Sequence, residues 1–155
     1  MSHTFPLTNF ACEPDPENPG WHRWRIIDES RFNESVLGKQ LVRKESDRTA
    51  RVRIVPQVPL HTNSANNVHG AVTLSLIDIS LFAAAYVLGG VDAGKSVTLD
   101  LQTQFIGAGD STRPLDSVVE LLRETRRFSF LRGLVVQDSD IVASFTATIR
   151  KPSQR

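Results

Sequence analysis

The sequence predicts an α+β domain in which an antiparallel sheet wraps around one long central helix. An apolar segment, residues 71–88, has the length and composition of a buried helix. Five or six strand-like segments surround it, and four of them follow it in the sequence. A helix that is apolar on most faces must be covered on nearly all sides, and one curled sheet does this economically.

Composition and charge favour a single globular domain. The chain has 155 residues, of which 40% are hydrophobic and 23% are charged, which suits one core of ordinary size. Its 18 basic and 17 acidic residues leave a formal net charge of +1, so we expect neither a nucleic-acid nor a membrane partner. The prolines before Gly20 predict an N-terminal arm over residues 1–20 and one domain over residues 21–155.

The segments before the helix predict strands, a short helix and a loop. GWHRWRII predicts a strand, and DESRFNESVLG predicts a short helix that ends at Gly38. KQLVRKES and TARVRIV predict a hairpin, because apolar Val52 and Ile54 alternate with Arg51 and Arg53 in its second strand. PLHTNSANNVHG is rich in turn-forming residues and predicts a loop that leads into the helix.

Four predicted strands follow the helix, which Gly89 and Gly90 terminate. SVTLDLQTQFI alternates between apolar and polar residues, which predicts a half-buried strand whose apolar face holds Val97, Leu99, Leu101 and Phe105. SVVELLRETRR, FSFLRGLVVQ and IVASFTATIRK complete the set, with a turn at residues 138–140. Because such a sheet has exposed edges, we expect two chains to pair as a dimer.

Cys12 and the apolar segment bear on the location of the protein. One cysteine excludes an intrachain disulfide and suits a reducing compartment, and the amino terminus has acidic residues where a secretory signal needs an apolar stretch. We therefore expect a cytoplasmic protein. Residues 71–88 are apolar enough for a membrane helix, but Asp78 lies at their centre, where insertion costs about 2.5–3.5 kcal/mol.

Asp78 is the only residue of the predicted helix that is charged at neutral pH. A carboxylate buried without partners is costly, so Asp78 must be hydrated, paired or used. Taken alone, it could equally face a polar seam or a dimer interface. Taken alone, His69 could bond to the nearby backbone at the start of the helix, and Asn63 is an ordinary loop residue.

The joint spacing of these residues is more informative. Asn63 lies six positions before His69, which Gly70 follows directly, Asp78 lies nine positions after His69, and Ser96 lies eighteen positions after Asp78. Together HTN, VHG, SLID and KSVTL resemble the hot-dog acyl-CoA thioesterases of the phenylacetate-degradation (PaaI-like) type, over roughly residues 36–151. The resemblance implies a hot-dog fold and hydrolysis of an aryl- or medium-chain acyl-CoA.

The resemblance also implies a role for each residue. Asp78 would act as general base on a water or as nucleophile, and the Gly70 N–H would polarise the thioester carbonyl. Asn63 and Ser96 would hold the leaving group or the attacking water, and His69 would orient the loop. In this family Asp78 of one chain faces the Gly70 loop of the other, which implies a homodimer and often a homotetramer.

Substrate contacts follow from the same resemblance and from charge. The acyl chain would lie along Leu74 and Phe82, close to Ala71, whose methyl group replaces the family's usual second glycine. Arg126 and Arg127 could bind the phosphates of coenzyme A, or they could simply solvate an outer sheet face. They belong to a group of four arginines in and beside the segment TRRFSFLRG, the others being Arg123 and Arg132. Because neighbouring residues of a strand point to opposite faces, at most one of the adjacent pair would face the phosphates.

No cofactor is expected beyond coenzyme A, which enters as part of the substrate. The four histidines lack a carboxylate-rich partner pattern, so no metal site is predicted: His3, His22, His61 and His69. A non-catalytic hot-dog protein that binds acyl-CoA is the alternative, motivated by Ala71. A hot-dog hydratase is less favoured, because its Asp-His hydration motif is not found.

Overall fold

The chain folds as one long helix packed against a single eight-stranded antiparallel sheet. The computed structural model describes residues 9–153, and the helix, α1, spans Gly70–Gly89. The strands in chain order are β1 (Phe10–Pro14), β2 (His22–Ile26), β3 (Gln40–Lys44), β4 (Thr49–Ile54), β5 (Val97–Phe105), β6 (Leu115–Glu124), β7 (Phe128–Gln137) and β8 (Asp140–Arg150). Their order across the sheet is β1-β2-β3-β4-β6-β7-β8-β5. The predicted α+β architecture is confirmed, but the expected five or six strands are too few, since the described residues form eight.

The N-terminal segment contributes a strand to the sheet. β1 pairs with β2 along its whole length, and Phe10 stacks on Trp24 with ring centroids 5.2 Å apart. Prolines do not prevent this strand, because an edge strand needs ladder hydrogen bonds on one side only. Residues 1–8 of the expected arm lie outside the described residues.

Two short helical turns accompany α1. The helix expected between residues 28 and 38 is reduced to one turn of π-helix, Asn33–Leu37, which the buried Leu37 anchors. A 3₁₀ turn, Ala93–Lys95, leads into β5. The Asp92 side chain caps this turn by accepting a hydrogen bond from the Gly94 N–H at 2.9 Å.

α1 has a defined cap at each end. At its start, Nδ1 of His69 accepts a hydrogen bond from the Ala71 N–H at 2.9 Å. At its end, Gly90 has a φ of 67°, and its N–H returns to the Tyr86 carbonyl at 2.8 Å. The 20 residues of the helix extend about 30 Å, so α1 crosses most of the sheet.

Alternate residues of the strands face α1 and form the core. On β4 the side chains of Ala50, Val52 and Ile54 are buried, as the sequence pattern predicted. The intervening arginines point to the outer face of the sheet. There Arg53 binds the buried carboxylate of Asp116, with an Nε–Oδ1 distance of 2.7 Å.

One side of α1 remains uncovered, contrary to the expectation from its composition. The buried residues of the helix face the sheet, whereas a strip on the other side is exposed or half-buried. Its members recur every three or four residues, and we call them the α1 strip: Ala71, Leu74, Ser75, Asp78 and Phe82. Leu74 is 40% exposed, which is unusual in so apolar a helix.

β5 lies beside the α1 strip and is less buried than predicted. It is the last strand of the sheet and pairs only with β8. Three of the four residues expected on its buried face are 41%, 53% and 55% exposed: Val97, Leu99 and Phe105. The expectation of a half-buried strand is therefore wrong for the single chain, because no element covers this edge within the described residues.

A β-bulge also interrupts the predicted alternation of β5. The register shifts between Thr98 and Asp100, so Leu99 has no opposite residue on β8. Residues opposite each other in an antiparallel pair point to the same face of the sheet. Thr98 is opposite the buried Ile149 and therefore faces α1, whereas the alternation had placed Thr98 on the outer face.

Candidate active site

The loop before α1 is shaped by the side chain of Asn63. Its Oδ1 accepts hydrogen bonds from the backbone N–H groups of Ala65 at 3.0 Å and Asn67 at 3.1 Å. Asn66, between them, has a left-handed backbone with a φ of 61°, a conformation that asparagine tolerates. The carboxamide oxygen of Asn63 therefore organises the loop, and its amide nitrogen is the part available to a substrate.

The same loop contains a buried histidine that the sequence did not single out. His61 is completely buried, and its Nε2 lies 2.6 Å from the Val36 carbonyl oxygen. Its Nδ1 accepts a hydrogen bond from the Gln57 N–H at 3.0 Å. Sequence spacing could not reveal the contact with Val36, because that residue lies twenty-five positions earlier in the chain.

The first turn of α1 presents one free backbone donor. The Ala71 N–H is bound by His69 Nδ1, and the N–H groups of Val72 and Thr73 donate to the His69 carbonyl oxygen. Among the described residues, the Gly70 N–H has no acceptor. The positive end of the helix dipole lies at this donor, so it suits a developing negative charge on oxygen.

Gly70 also occupies a narrow position. A β-carbon at Gly70 would lie 3.4 Å from Cε1 of Phe105, at the end of β5. A larger side chain would therefore crowd both this ring and the free N–H. His69, which resemblance suggested would orient the loop, caps the helix directly before this glycine.

Asp78 is held by Thr98, whereas the hydroxyl of Ser96, which was expected to hold the leaving group or the attacking water, bonds to the backbone. The Thr98 hydroxyl donates to Oδ1 of Asp78 at 2.8 Å, and both residues are half-buried. The Ser96 hydroxyl instead donates to the backbone carbonyl of Asp92 at 2.6 Å. The bulge after Thr98 explains its contact with Asp78, because the bulge turns the Thr98 side chain toward α1.

Gly70 and Asp78 cannot act on one substrate carbonyl within a single chain. Eight residues separate them along α1, which corresponds to about 12 Å along the helix axis. A donor and a base acting at one reacting centre must each lie about 3 Å from it. The two groups therefore require a second chain if both act on the same thioester.

The predicted acyl contacts lie on the α1 strip, on the same side of the helix as Asp78. Ala71 and Leu74 are exposed, and Phe82 is half-buried. Ser75 lies between them and donates its hydroxyl proton to the Ala71 carbonyl at 2.7 Å. The strip therefore offers an apolar surface on either side of the carboxylate.

The predicted phosphate contacts are not on a strand. Arg126 and Arg127 lie in the turn between β6 and β7, and both are exposed. The argument that they must point to opposite faces of a strand is therefore wrong. Arg126 lines a cavity of about 550 Å³ at the C-terminal end of α1, together with Lys95 and Lys151.

The other two arginines of the group lie apart from this cavity. Arg132 binds Glu120 on the outer face, with an Nε–Oε2 distance of 2.8 Å. Arg123 is exposed near the end of β6. A larger cavity of about 890 Å³ also lies on the side of the sheet that carries Arg132, away from Asp78. Within residues 9–153, no three His, Cys, Asp or Glu side chains form a group that could hold a metal ion.

Comparison with known proteins identifies the family. The family described as acyl-CoA thioesterase N-terminal domain matches residues 58–150, which is more than half of the chain. The chain belongs to this thioesterase family. The match covers most of the loop before α1, the helix α1 and the strands β5–β8. It therefore includes every predicted catalytic residue of this thioesterase.

Solved structures have the same hot-dog fold, which confirms the predicted fold. The PaaI protein from the Escherichia coli phenylacetic acid degradation operon is 17% identical, with a TM-score of 0.67, over 81% of this chain and 87% of that chain. Mouse thioesterase superfamily member 2 is 15% identical, with a TM-score of 0.64, over 79% and 90%. A variant of the PaaI protein from Thermus thermophilus is 21% identical, with a TM-score of 0.61, over 77% and 96%. No curated protein sequence matches the chain.

Proposed function

We propose that this protein hydrolyses acyl-CoA thioesters to a free acid and coenzyme A, with Asp78 as the catalytic carboxylate. The observation that carries the proposal is the position of Asp78, which lies on the α1 strip and is oriented by Thr98. An oriented carboxylate can accept a proton from a water that attacks the carbonyl carbon, or it can attack that carbon itself. In either case the carbon–sulfur bond breaks, and the coenzyme A thiolate leaves and takes up a proton. The attack by water gives the free acid directly, whereas direct attack gives a mixed anhydride on Asp78 that a water then hydrolyses to the free acid and the carboxylate.

The Gly70 N–H serves as the donor to the thioester oxygen in this proposal. Negative charge develops on that oxygen in the tetrahedral intermediate, and a preorganised backbone donor at a helix start stabilises it. The cap on the Ala71 N–H supports the assignment, because it leaves Gly70 as the available donor of the first turn among the described residues. Asn63 completes the loop and can offer its amide nitrogen to the substrate.

The functional unit is a homodimer, and pairs of dimers would form the tetramer that resemblance implies. The axial separation of Gly70 and Asp78 supports a site shared between two chains. The exposed edge of β5 offers the matching surface, since its unpaired backbone groups and apolar residues such as Leu99 can pair with a second copy. The α1 strip then becomes an interface cleft instead of an exposed apolar surface.

Coenzyme A would be recognised through its phosphates and the acyl group through the α1 strip. The cavity beside Arg126 is also lined by Lys95 and Lys151. Their ammonium nitrogens lie 4.0 Å from Asp92 and 2.7 Å from Glu124, respectively, so Arg126 is the cation that we propose for the phosphates. A guanidinium group binds phosphate oxygens well. Leu74 and Phe82 would contact an aryl or medium-length acyl chain. The expected cytoplasmic location remains part of this proposal.

The first test is a panel of acyl-CoA substrates with Asp78→Asn as the key variant. We expect the wild-type protein to release free thiol from an aryl- or medium-chain acyl-CoA, and Asp78→Asn to lower kcat by about 100-fold to 10,000-fold. Asn keeps the size of the side chain and can still accept the Thr98 hydrogen bond. The released thiol is measured with a thiol-reactive dye.

The matched control is Asp47→Asn, which changes an exposed carboxylate in the turn between β3 and β4. Its kcat should equal that of the wild type. Full activity of Asp78→Asn would show that Asp78 is not the catalytic group. Saturable acyl-CoA binding by the wild type without turnover of any substrate would favour the non-catalytic alternative.

A further inference from the structure

His61 connects two separate parts of the chain through its side chain. The Nε2 atom lies 2.6 Å from the carbonyl oxygen of Val36 in the π-helical turn, and Nδ1 accepts the Gln57 N–H from the start of the loop. Because the Gln57 N–H is a donor, the ring proton must be on Nε2, and the imidazole is neutral. Both ring nitrogens of this completely buried side chain are thus satisfied.

The backbone of His61 continues this connection to α1. Its carbonyl oxygen accepts the N–H of His69 at 2.8 Å, and its own N–H donates to the Gln57 carbonyl at 2.7 Å. His69 is the cap of α1 and directly precedes Gly70. A continuous path of hydrogen bonds and one peptide link therefore runs from Val36 through His61 and His69 to the Gly70 N–H.

The other side of the loop is held independently. The Val68 N–H donates to the Gly109 carbonyl at 2.8 Å, Asn67 forms a bridge with Asp110, and Asn63 organises the tip. These contacts join the loop to the segment after β5. His61 therefore supplies the link to the opposite side, where the π-helical turn lies.

We propose that His61 is a positioning residue that fixes the Gly70 N–H in the geometry required for the thioester oxygen. The inference rests on the proposed function of Gly70, but it assigns a role to a residue that does not touch the substrate. A neutral imidazole suits this role because it offers a donor and an acceptor on opposite sides of a rigid ring. Loss of either contact would leave a buried backbone group unpaired and would let the loop shift.

Two substitutions separate the contacts of the imidazole. His61→Gln can still donate to the Val36 carbonyl but loses the acceptor for Gln57, whereas His61→Asn can still accept from Gln57 but does not reach Val36. The link to Val36 connects the loop to another element, so His61→Asn should be the more damaging change. We expect kcat to be highest in the wild type, lower in His61→Gln and lowest in His61→Asn.

The size of the effect distinguishes positioning from general stability. A displacement of the oxyanion donor by about 1 Å can cost about 100-fold in rate, so we expect His61→Asn to lose about 10-fold to 100-fold in kcat, with KM changed less than about threefold. Val119→Ala, a core truncation on β6, serves as the stability control. It should lower the unfolding temperature without lowering kcat at temperatures where the protein remains folded. His22→Gln replaces an exposed histidine in the same way as His61→Gln and should leave kcat unchanged.

A spectroscopic measurement keeps this inference separate from the hydrolysis itself. The amide resonance of Gly70 in a proton–nitrogen spectrum should shift or broaden in His61→Asn and should be unchanged in Val119→Ala. An unchanged Gly70 resonance in both His61 variants would overturn the positioning role, as would an unchanged kcat or a loss confined to KM. Absence of hydrolysis by the wild-type protein would instead refute the proposed function, while the Gly70 resonance would still decide the role of His61.

Discussion

The two edge strands of the sheet, β1 and β5, differ in length and in the apolar side chains that they leave exposed. β1 is a five-residue strand that ends at Pro14, and its Phe10 packs inward on Trp24. β5 is nine residues long, and it leaves Leu99 and Phe105 exposed. Short edges with prolines resist further pairing, whereas long apolar edges invite it. The difference supports the proposal that β5, and not β1, is the edge that pairs with a second chain.

The candidate active site lies beside β5. Thr98 of β5 orients Asp78, and Phe105 of β5 contacts the position of Gly70. At the other edge, the turn after β1 is held within the chain by the ion pair between Asp15 and Lys39. Substitutions at the two edges should therefore affect different properties, with assembly and catalysis at β5 and stability at β1.

Among substitutions that compare the two edges, the largest effect is expected from Leu99→Lys on β5. A charged side chain at an exposed apolar edge opposes pairing with a second copy, because pairing would remove the charge from water. The variant should behave as a monomer in sedimentation experiments, and its hydrolysis rate should fall by about 100-fold or more, since the proposed dimer takes the oxyanion donor from the second chain. The rate should recover partly at high protein concentration.

Ala11→Lys places the same charge on β1 and is the matched control. It should leave the oligomeric state and the hydrolysis rate unchanged. A dimeric, fully active Leu99→Lys protein would refute the assignment of β5 as the interface.

A smaller effect is expected from Thr98→Val, which removes the hydroxyl but keeps the branched shape. A hydrogen bond to a charged group contributes about 1.5–3 kcal/mol, so kcat should fall by about 10-fold to 100-fold while the dimer persists. Thr98→Ser keeps the donor and should restore most of the rate. Thr103→Val changes another β5 threonine, one whose buried hydroxyl has no partner among the described residues, and should have little effect on kcat. Equal losses in the two valine variants would contradict the role of Thr98.

The smallest effect is expected from Asp15→Asn, at the β1 edge. The Lys39 ammonium lies 2.7 Å from Asp15, and hydrogen bonds from Lys39 and Asn18 lower the pKa of Asp15 from 3.8 to about 2. The ionised form therefore stabilises the fold above about pH 4, and this contribution is lost as the pH falls toward 2. The unfolding temperature of Asp15→Asn should lie slightly below that of the wild type at neutral pH, and the difference should vanish in acid. Glu17→Gln, at an exposed partner of Lys39, should change the unfolding temperature less.

Local sequence patterns predicted the parts of the fold that depend on local preference. α1 follows from the length and apolar composition of residues 71–88, and β4 follows from its alternation of apolar and charged residues. β7 has the predicted bounds, residues 128–137. β1 was missed because its prolines suggested only an arm. The uncovered strip of α1 was missed because an all-apolar helix gives no indication of which side lacks a cover.

The site was predictable where it depends on spacing and unpredictable where it depends on register. Gly70 and Asp78 lie on α1 as expected, and Asn63 lies in the loop. The partner of Asp78 could not be predicted, because alternation cannot show the bulge that turns Thr98 inward. The role of His61 could not be predicted for a similar reason, since its contact with Val36 exists only in the folded chain.

The bulge at Leu99 makes the position of a deletion in β5 more important than its length. Side chains alternate with a period of two, so removal of Gln102 would exchange the two faces of the strand on one side of the gap. Removal of Leu99 would instead leave Thr98, Asp100 and Leu101 in regular alternation, with Thr98 and Leu101 still facing α1. The chain without Leu99 should therefore fold and keep the contact with Asp78, while its edge loses an apolar side chain and the local twist of the bulge. We therefore expect the additional residue to be unnecessary for folding and, in the proposed dimer, to matter through the edge that it shapes.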